Sequence, residues 1–190
     1  MSAANLLTLL RLGLTVPIIL LLYAPGAGSA WAALVLFLAA MFTDVFDGRL
    51  ARRDPARSPL GNYLDPMADK VLLMSLFICL AERGTVAAWM VVVLVAREFV
   101  VNGVRSAGAF QGTLVTANWM GKTKTFLQTV AVTAALLGLA LEASEVIESV
   151  VEFFLGVAWW TTLVVTVLAA VFAGVFLYWN RALFRSAPSG

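Results

Sequence analysis

Six apolar runs follow one another along this chain, each near the roughly 20 residues that a helix needs to cross a bilayer. They are Asn5–Tyr23, Ser29–Arg52, Asn62–Ala81, Val86–Arg105, Trp119–Leu139 and Val151–Trp179. The second is uninterrupted only from Trp31 to Phe42, so a span there has to continue through Thr43 and Asp44 to about Gly48. The connections are short: "APGAG" after the first run, a proline-broken "RDPARSPLG" after the second, "ERG" after the third. With 62% hydrophobic and 13% charged residues among 190, the chain holds more apolar side chains than a soluble core of this length can shelter. The expected fold is all-α: a polytopic membrane protein with six transmembrane helices, forming one domain over residues 1–190 with no internal repeat or linker.

Six spans return both termini to one side, and the cations choose the side. Arg49, Arg52, Arg53, Arg57 and Lys70 flank the second connection, on the side of the N-terminus. Arg11, Arg97, Arg105, Lys122, Lys124, Arg181 and Arg185 fall toward that side as well. Only Arg83 falls opposite, among Glu82, Glu142, Glu145, Glu148 and Glu152. The positive-inside rule then makes both termini cytoplasmic. The net charge of +2 thus follows membrane topology and does not point to nucleic acid. The start of the chain lacks the basic n-region and cleavage site of a signal peptide. One cysteine, Cys79, excludes disulfides within the chain and cysteine-built zinc sites. There is no histidine, so a general base has to be a carboxylate, Lys, Tyr or Cys.

The stretch Thr43 to Lys70, "TDVFDGRLARRDPARSPLGNYLDPMADK", sets five aspartates and five cations between two apolar segments. Asp44 and Asp47, three apart, share a helix face, and so do Asp65 and Asp69, four apart. Pro55 and Pro59 break the chain between them, and Pro66 suits the first turn of the third span, where a missing N–H costs nothing. A helix-turn-helix of this kind brings four carboxylates together near the cytoplasmic ends of two helices. Four like charges do not stay ionised in a poorly hydrated place without counter-charge. Two Mg²⁺ or Mn²⁺ ions, which take a few carboxylates plus substrate phosphate, supply it. Such a pair clamps both oxygens of a phosphoryl displacement. The plainer alternative pairs the aspartates with the arginines around them.

The segment "DVFDGRLARRDPARSPLGNYLDPMAD" has the form D-x2-D-G-x2-A-R-x8-G-x3-D-x3-D. In this it resembles the CDP-alcohol phosphatidyltransferases. The resemblance implies a six-helix membrane enzyme, usually a homodimer, that transfers a phosphatidyl group from CDP-diacylglycerol to an alcohol and releases CMP. It implies metal binding by Asp44, Asp47, Asp65 and Asp69, with Asp69 also the base that takes the acceptor's proton. Gly48, Ala51, Arg52 and Gly61 would cradle the CDP moiety. Asn5 and Thr8, one turn apart, could contact the nucleotide or a metal, or simply cap the first helix.

"NLLTLLRLGLTVPI", "AREFVVNGVR" and "GKTKTFLQTVAV" are similar to one branch of that family, which uses glycerol 3-phosphate as acceptor. An anionic acceptor also follows from charge. Donor diphosphate and acceptor phosphate together exceed what two metal ions balance, so fixed cations are needed, and planar Arg forks suit phosphate. Arg97, Arg105, Lys122 and Lys124 are the available set. The competing reading pairs Glu98 with Arg105, two turns along one face, and lets the lysines snorkel to the interface. Other acceptors, namely inositol phosphate, serine or phosphatidylglycerol, remain open within the family. Membrane prenyltransferases lack the D-G-x2-A-R piece. A cation transporter would place its carboxylates near the midplane. A bacterial plasma membrane, with the site at its cytoplasmic face, is the expected location.

Overall fold

The computed structural model describes residues 3–50, 59–110 and 120–181. These residues form six α-helices: α1 Ala3–Tyr23, α2 Ala27–Leu50, α3 Pro59–Glu82, α4 Ala88–Phe110, α5 Met120–Ala143 and α6 Glu148–Trp179. There is no strand among them. The helices run past the apolar runs into polar sequence, because a backbone that has begun its i→i−4 ladder gains a bond with each further residue. The extension matters most in α3. It opens on Pro59, which takes a first-turn position, so Pro66 lies further inside the helix than expected.

The tight turns have identifiable backbone causes. After α3, Gly84 N–H donates to Ala81 O at 3.1 Å and Thr85 N–H to Leu80 O at 3.0 Å. That closing pair needs a left-handed residue, and Gly84 supplies it at φ 76° without a Cβ penalty. The end of α5 repeats the pattern, with Glu145 N–H to Glu142 O and Val146 N–H to Leu141 O. Here the left-handed position is held by Glu145, at φ 55°. Gly26, at φ 96°, turns the chain between α1 and α2.

α1 packs on α2 and α3, α2 on α5, α5 on α6, α6 on α4, and α3 on α4 and α5. One core runs through the bundle, with Ile18, Phe37, Leu72, Leu76, Phe77, Leu94, Leu136 and Val165 fully enclosed. The α5–α6 contact is built from small residues. Ala131, Ala135, Ala158 and Ala169 are buried. A Cβ at Gly138 would lie 2.5 Å from Leu155 Cδ2 and 3.0 Å from its Cγ. Where the surroundings are as apolar as the side chains, close backbone approach of this kind drives helix association.

The outside of the bundle is apolar too. Phe99, Phe126, Leu20, Val92, Ile147 and Trp160 are among many large hydrophobic side chains left exposed on all sides. A soluble monomer rarely exposes so much contiguous apolar surface. Thr123–Ala143 and Glu148–Trp179 are long and apolar enough to cross a membrane, and Leu9–Tyr23 and Ala27–Thr43 are shorter apolar helices.

Contacts between helix ends set the polarity of the bundle. Tyr23, at the end of α1, donates its hydroxyl hydrogen bond to Glu82, at the end of α3. Trp31, early in α2, donates from Nε1 to Ser144 Oγ after α5, at 3.0 Å. These four residues share one end. The start of α3, the second half of α4 and the start of α5 meet toward the other.

Candidate active site

α2 ends with Asp44, Asp47 and Gly48 in its last two turns, and α3 begins with Gly61, Asp65 and Asp69 in its first three. Helical periodicity puts Asp44 and Asp47 on one face and Asp65 and Asp69 on another. α2 and α3 both pack on α1 and on α5, so the two acidic segments flank the same pair of helices. Asn5 and Thr8 open α1, the helix between them. The side chains of Asn5, Thr8, Asp44, Asp47, Asp65, Asp69 and Lys122 lie outside the described residues, as do Ala51 and Arg52 altogether. Among the described residues, no group of three or more His, Cys, Asp or Glu is placed to hold a metal. Asp44, Asp47, Asp65 and Asp69 stand at i,i+3 and i,i+4 spacing on helices, and carboxylate oxygens are donors of the kind a hard divalent cation takes.

The cations of the neighbouring helices are described, and they converge on one carboxylate. Glu98, on α4, is 7% exposed. Arg97 Nη1 reaches Glu98 Oε1 at 2.8 Å, and Lys70 Nζ, from α3, reaches Glu98 Oε2 at 3.3 Å. Lys124, from α5, pairs with Glu98 Oε1. Lys70 also donates to Asn102 Oδ1 at 2.9 Å, one turn beyond Glu98 on the same face of α4. Arg105 is half-buried a further turn along, near enough for its charge to act on Lys70. Nε of Arg97 and of Arg105 are buried without a hydrogen-bond partner among the described residues.

This arrangement departs from the simple pairing considered for Glu98. Its described partners are Lys70, Arg97 and Lys124, and Arg105 is not among them. Lys124 does not snorkel either, being turned inward and 6% exposed. Among the described residues, three cations thus meet a single carboxylate, and Arg105 lies two turns further along α4.

Sequence reasoning placed Arg97, Arg105 and Lys124 in this region but missed two participants: Lys70 was counted only as a topology signal, and Asn102 was not singled out. Arg11, elsewhere in the bundle, was assigned only to a side. Arg11 proves to be 1% exposed, buried in the helix that packs on both α2 and α3. The available signal was a lone arginine in "LLTLLRLGL", since an ionisable residue inside an apolar run is costly and usually functional.

The helical bundle carries paired aspartates at the end of α2 and the start of α3. The family model for CDP-alcohol phosphatidyltransferases matches residues 1–171, and the chain belongs to that family. It is 43% identical over 106 residues to CDP-diacylglycerol–glycerol-3-phosphate 3-phosphatidyltransferase of Bacillus subtilis, covering 56% of this chain and 55% of that protein. A probable phosphatidylglycerophosphate synthase of Mycobacterium tuberculosis is 41% identical over 143 residues, 73% of this chain and 68% of that one. The CDP-diacylglycerol–glycerol-3-phosphate 3-phosphatidyltransferase of Rickettsia typhi is 32% identical over 160 residues, 84% of this chain and 90% of that one.

Proposed function

We propose that this protein transfers the phosphatidyl group of CDP-diacylglycerol to glycerol 3-phosphate, forming phosphatidylglycerophosphate and CMP. Family membership supports the phosphatidyl transfer, and the names of the relatives agree with the acceptor. The observation that carries the acceptor assignment is the meeting of Lys70, Arg97 and Lys124 at Glu98, with Lys70 next in sequence to Asp69.

In this reading the chain crosses a bacterial plasma membrane six times as one domain, with both termini and the site at the cytoplasmic face, and works as a homodimer. Asp44, Asp47, Asp65 and Asp69 would hold two divalent ions, Mg²⁺ or Mn²⁺, which supply counter-charge to the donor diphosphate and polarise its phosphorus. Lys70, next in sequence to Asp69, reaches Glu98 and Asn102 on α4.

The chain's own groups do the rest. Gly48, Ala51, Arg52 and Gly61, with Asn5 and Thr8, seat the CDP moiety. Arg97, Arg105, Lys122 and Lys124 grip the acceptor's phosphate and aim its free primary hydroxyl. Asp69 takes the hydroxyl proton as the oxygen bonds to the phosphatidyl phosphorus and the bond from that phosphorus to the CMP oxygen breaks. Orientation matters because a hydroxyl is a poor nucleophile near neutral pH.

The test is incubation of the purified protein with CDP-diacylglycerol, Mg²⁺ and separate labelled alcohols, following lipid product and CMP. Glycerol 3-phosphate should be consumed, while inositol phosphate, serine and phosphatidylglycerol are not. Conversion of one of those instead would overturn the acceptor assignment and leave the transfer chemistry standing.

A further inference from the structure

Arg11, in the first half of α1, is among the largest side chains that the bundle encloses completely. A guanidinium does not escape burial by giving up its proton, as a lysine or a carboxylic acid can. An enclosed charge is costly until an opposite charge meets it. α1 packs on α2 and α3, so those two helices are where the anion that answers Arg11 is to be sought.

The acidic residues of the chain can be taken in turn. Glu98 belongs to α4 and is held by Lys70, Arg97 and Lys124. Glu82 accepts the hydroxyl of Tyr23, at the opposite end of α1 from Asn5. The glutamates from Glu142 to Glu152 are exposed around the end of α5 and the start of α6. The aspartates between Asp44 and Asp69 remain, and Asp44, Asp47, Asp65 and Asp69 stand on the two helices that flank α1. Helix register agrees. The same twelve-residue step back from the Tyr23–Glu82 contact leads to Arg11 on α1 and, on α3, to Lys70, next to Asp69. A helical side chain leans toward the N-terminus of its helix, which for Arg11 is the end where both acidic segments stand.

We propose that Arg11 is a positioning residue of the aspartate site, the resident counter-charge that keeps its carboxylates ionised and gathered before the metal ions arrive. Like charges brought together in a poorly hydrated place otherwise take up protons or move apart. Because the guanidinium and the metals draw on the same carboxylates, each weakens the hold of the other, and the coupling is reciprocal. The inference rests on the assignment of the metals to Asp44, Asp47, Asp65 and Asp69. It adds what holds that site together without them.

The experiment uses the whole protein in detergent, without substrate. Mn²⁺ binding is followed by the electron paramagnetic resonance of the free ion, and thermal unfolding is measured in chelator and in excess Mg²⁺. Arg11→Met should bind Mn²⁺ about fivefold more tightly or better, the low end of coupling between two sites. Its melting temperature should fall further in chelator than in Mg²⁺, since the metal supplies the charge that was removed. Arg11→Lys, which keeps the charge and loses the planar fork, should lie closer to wild type in both measurements. Should Arg11→Met be recoverable only when purified with Mg²⁺, that dependence is the expected coupling. A merely structural arginine would lose the same stability with and without metal, and that outcome overturns the proposal. So does Mn²⁺ binding that is unchanged or weaker in Arg11→Met, and a raised KM for CDP-diacylglycerol beside it would make Arg11 a donor contact instead. If wild type binds no Mn²⁺ and turns over in chelator, the metal assignment itself falls and takes this inference with it. If wild type binds Mn²⁺ and Arg11→Met binds it no better, only the role of Arg11 falls.

Discussion

The Glu98 carboxylate on α4 meets the Lys124 ammonium on α5 inside the bundle, with 10% and 6% of the two side chains exposed. Lys70 and Arg97 share the same carboxylate, so Glu98 is the hub of the cluster. Removing a hub differs from removing a spoke. Glu98→Ala removes the carboxylate that the buried Lys124 shares with Lys70 and Arg97, and should cost about 3–5 kcal/mol, the range for breaking a buried ion pair. Lys124→Ala leaves Glu98 with two partners and should cost less. Thermal unfolding in detergent reads the order, and a larger loss in Lys124→Ala contradicts the hub.

Divalent metal should be indispensable. After metal stripping and in excess chelator, turnover should vanish and return on adding Mg²⁺ or Mn²⁺. Asn at Asp44, Asp47 or Asp65 should raise the metal concentration needed for half-maximal rate and lower the maximal rate by about two orders of magnitude or more. Full turnover in chelator would remove the role given to these aspartates.

Asp69→Asn should lower kcat by about 10²–10⁴, the usual contribution of a positioned base. Binding of the CDP donor should remain measurable, since the base acts on the acceptor hydroxyl. A near-normal rate in this variant means that the proton leaves by another route.

Arg105→Ala should raise the acceptor KM or lower kcat about 100-fold, the loss expected for a strong charged contact to phosphate. Donor affinity should barely change. Equal weakening of both substrates would place Arg105 elsewhere than in the acceptor clamp.

Gly138→Val tests the α5–α6 seam. A branched side chain there collides with Leu155, whose Cγ would already stand 3.0 Å from the first added carbon. Overpacking of this kind should cost about 1–3 kcal/mol. A melting temperature equal to wild type would mean that the helices separate without penalty at this point.

The number, order and approximate limits of the helices were legible in the sequence, because apolar length and short polar breaks are local properties. The α3 boundary was misjudged by three residues, Asn62 for Pro59, since hydrophobicity ends before backbone hydrogen bonding does. The spacing of Asp44, Asp47, Asp65 and Asp69 was legible for the same local reason: residues three and four apart share a helix face wherever the helix goes. Lys70, Glu98 and Lys124 were different. They come from three helices, and nothing in the spacing of 70, 98 and 124 says that their side chains meet. Glu98 looked suited to Arg105, seven residues away on its own helix, and periodicity alone cannot rank that partner against one from a neighbouring helix. The packing of α3, α4 and α5 decided it, bringing Lys70 and Lys124 to the carboxylate and leaving a polar cavity beside them. Local sequence sets which face a side chain occupies, whereas the charges that share a low-dielectric interior are settled by which faces the folded bundle presses together.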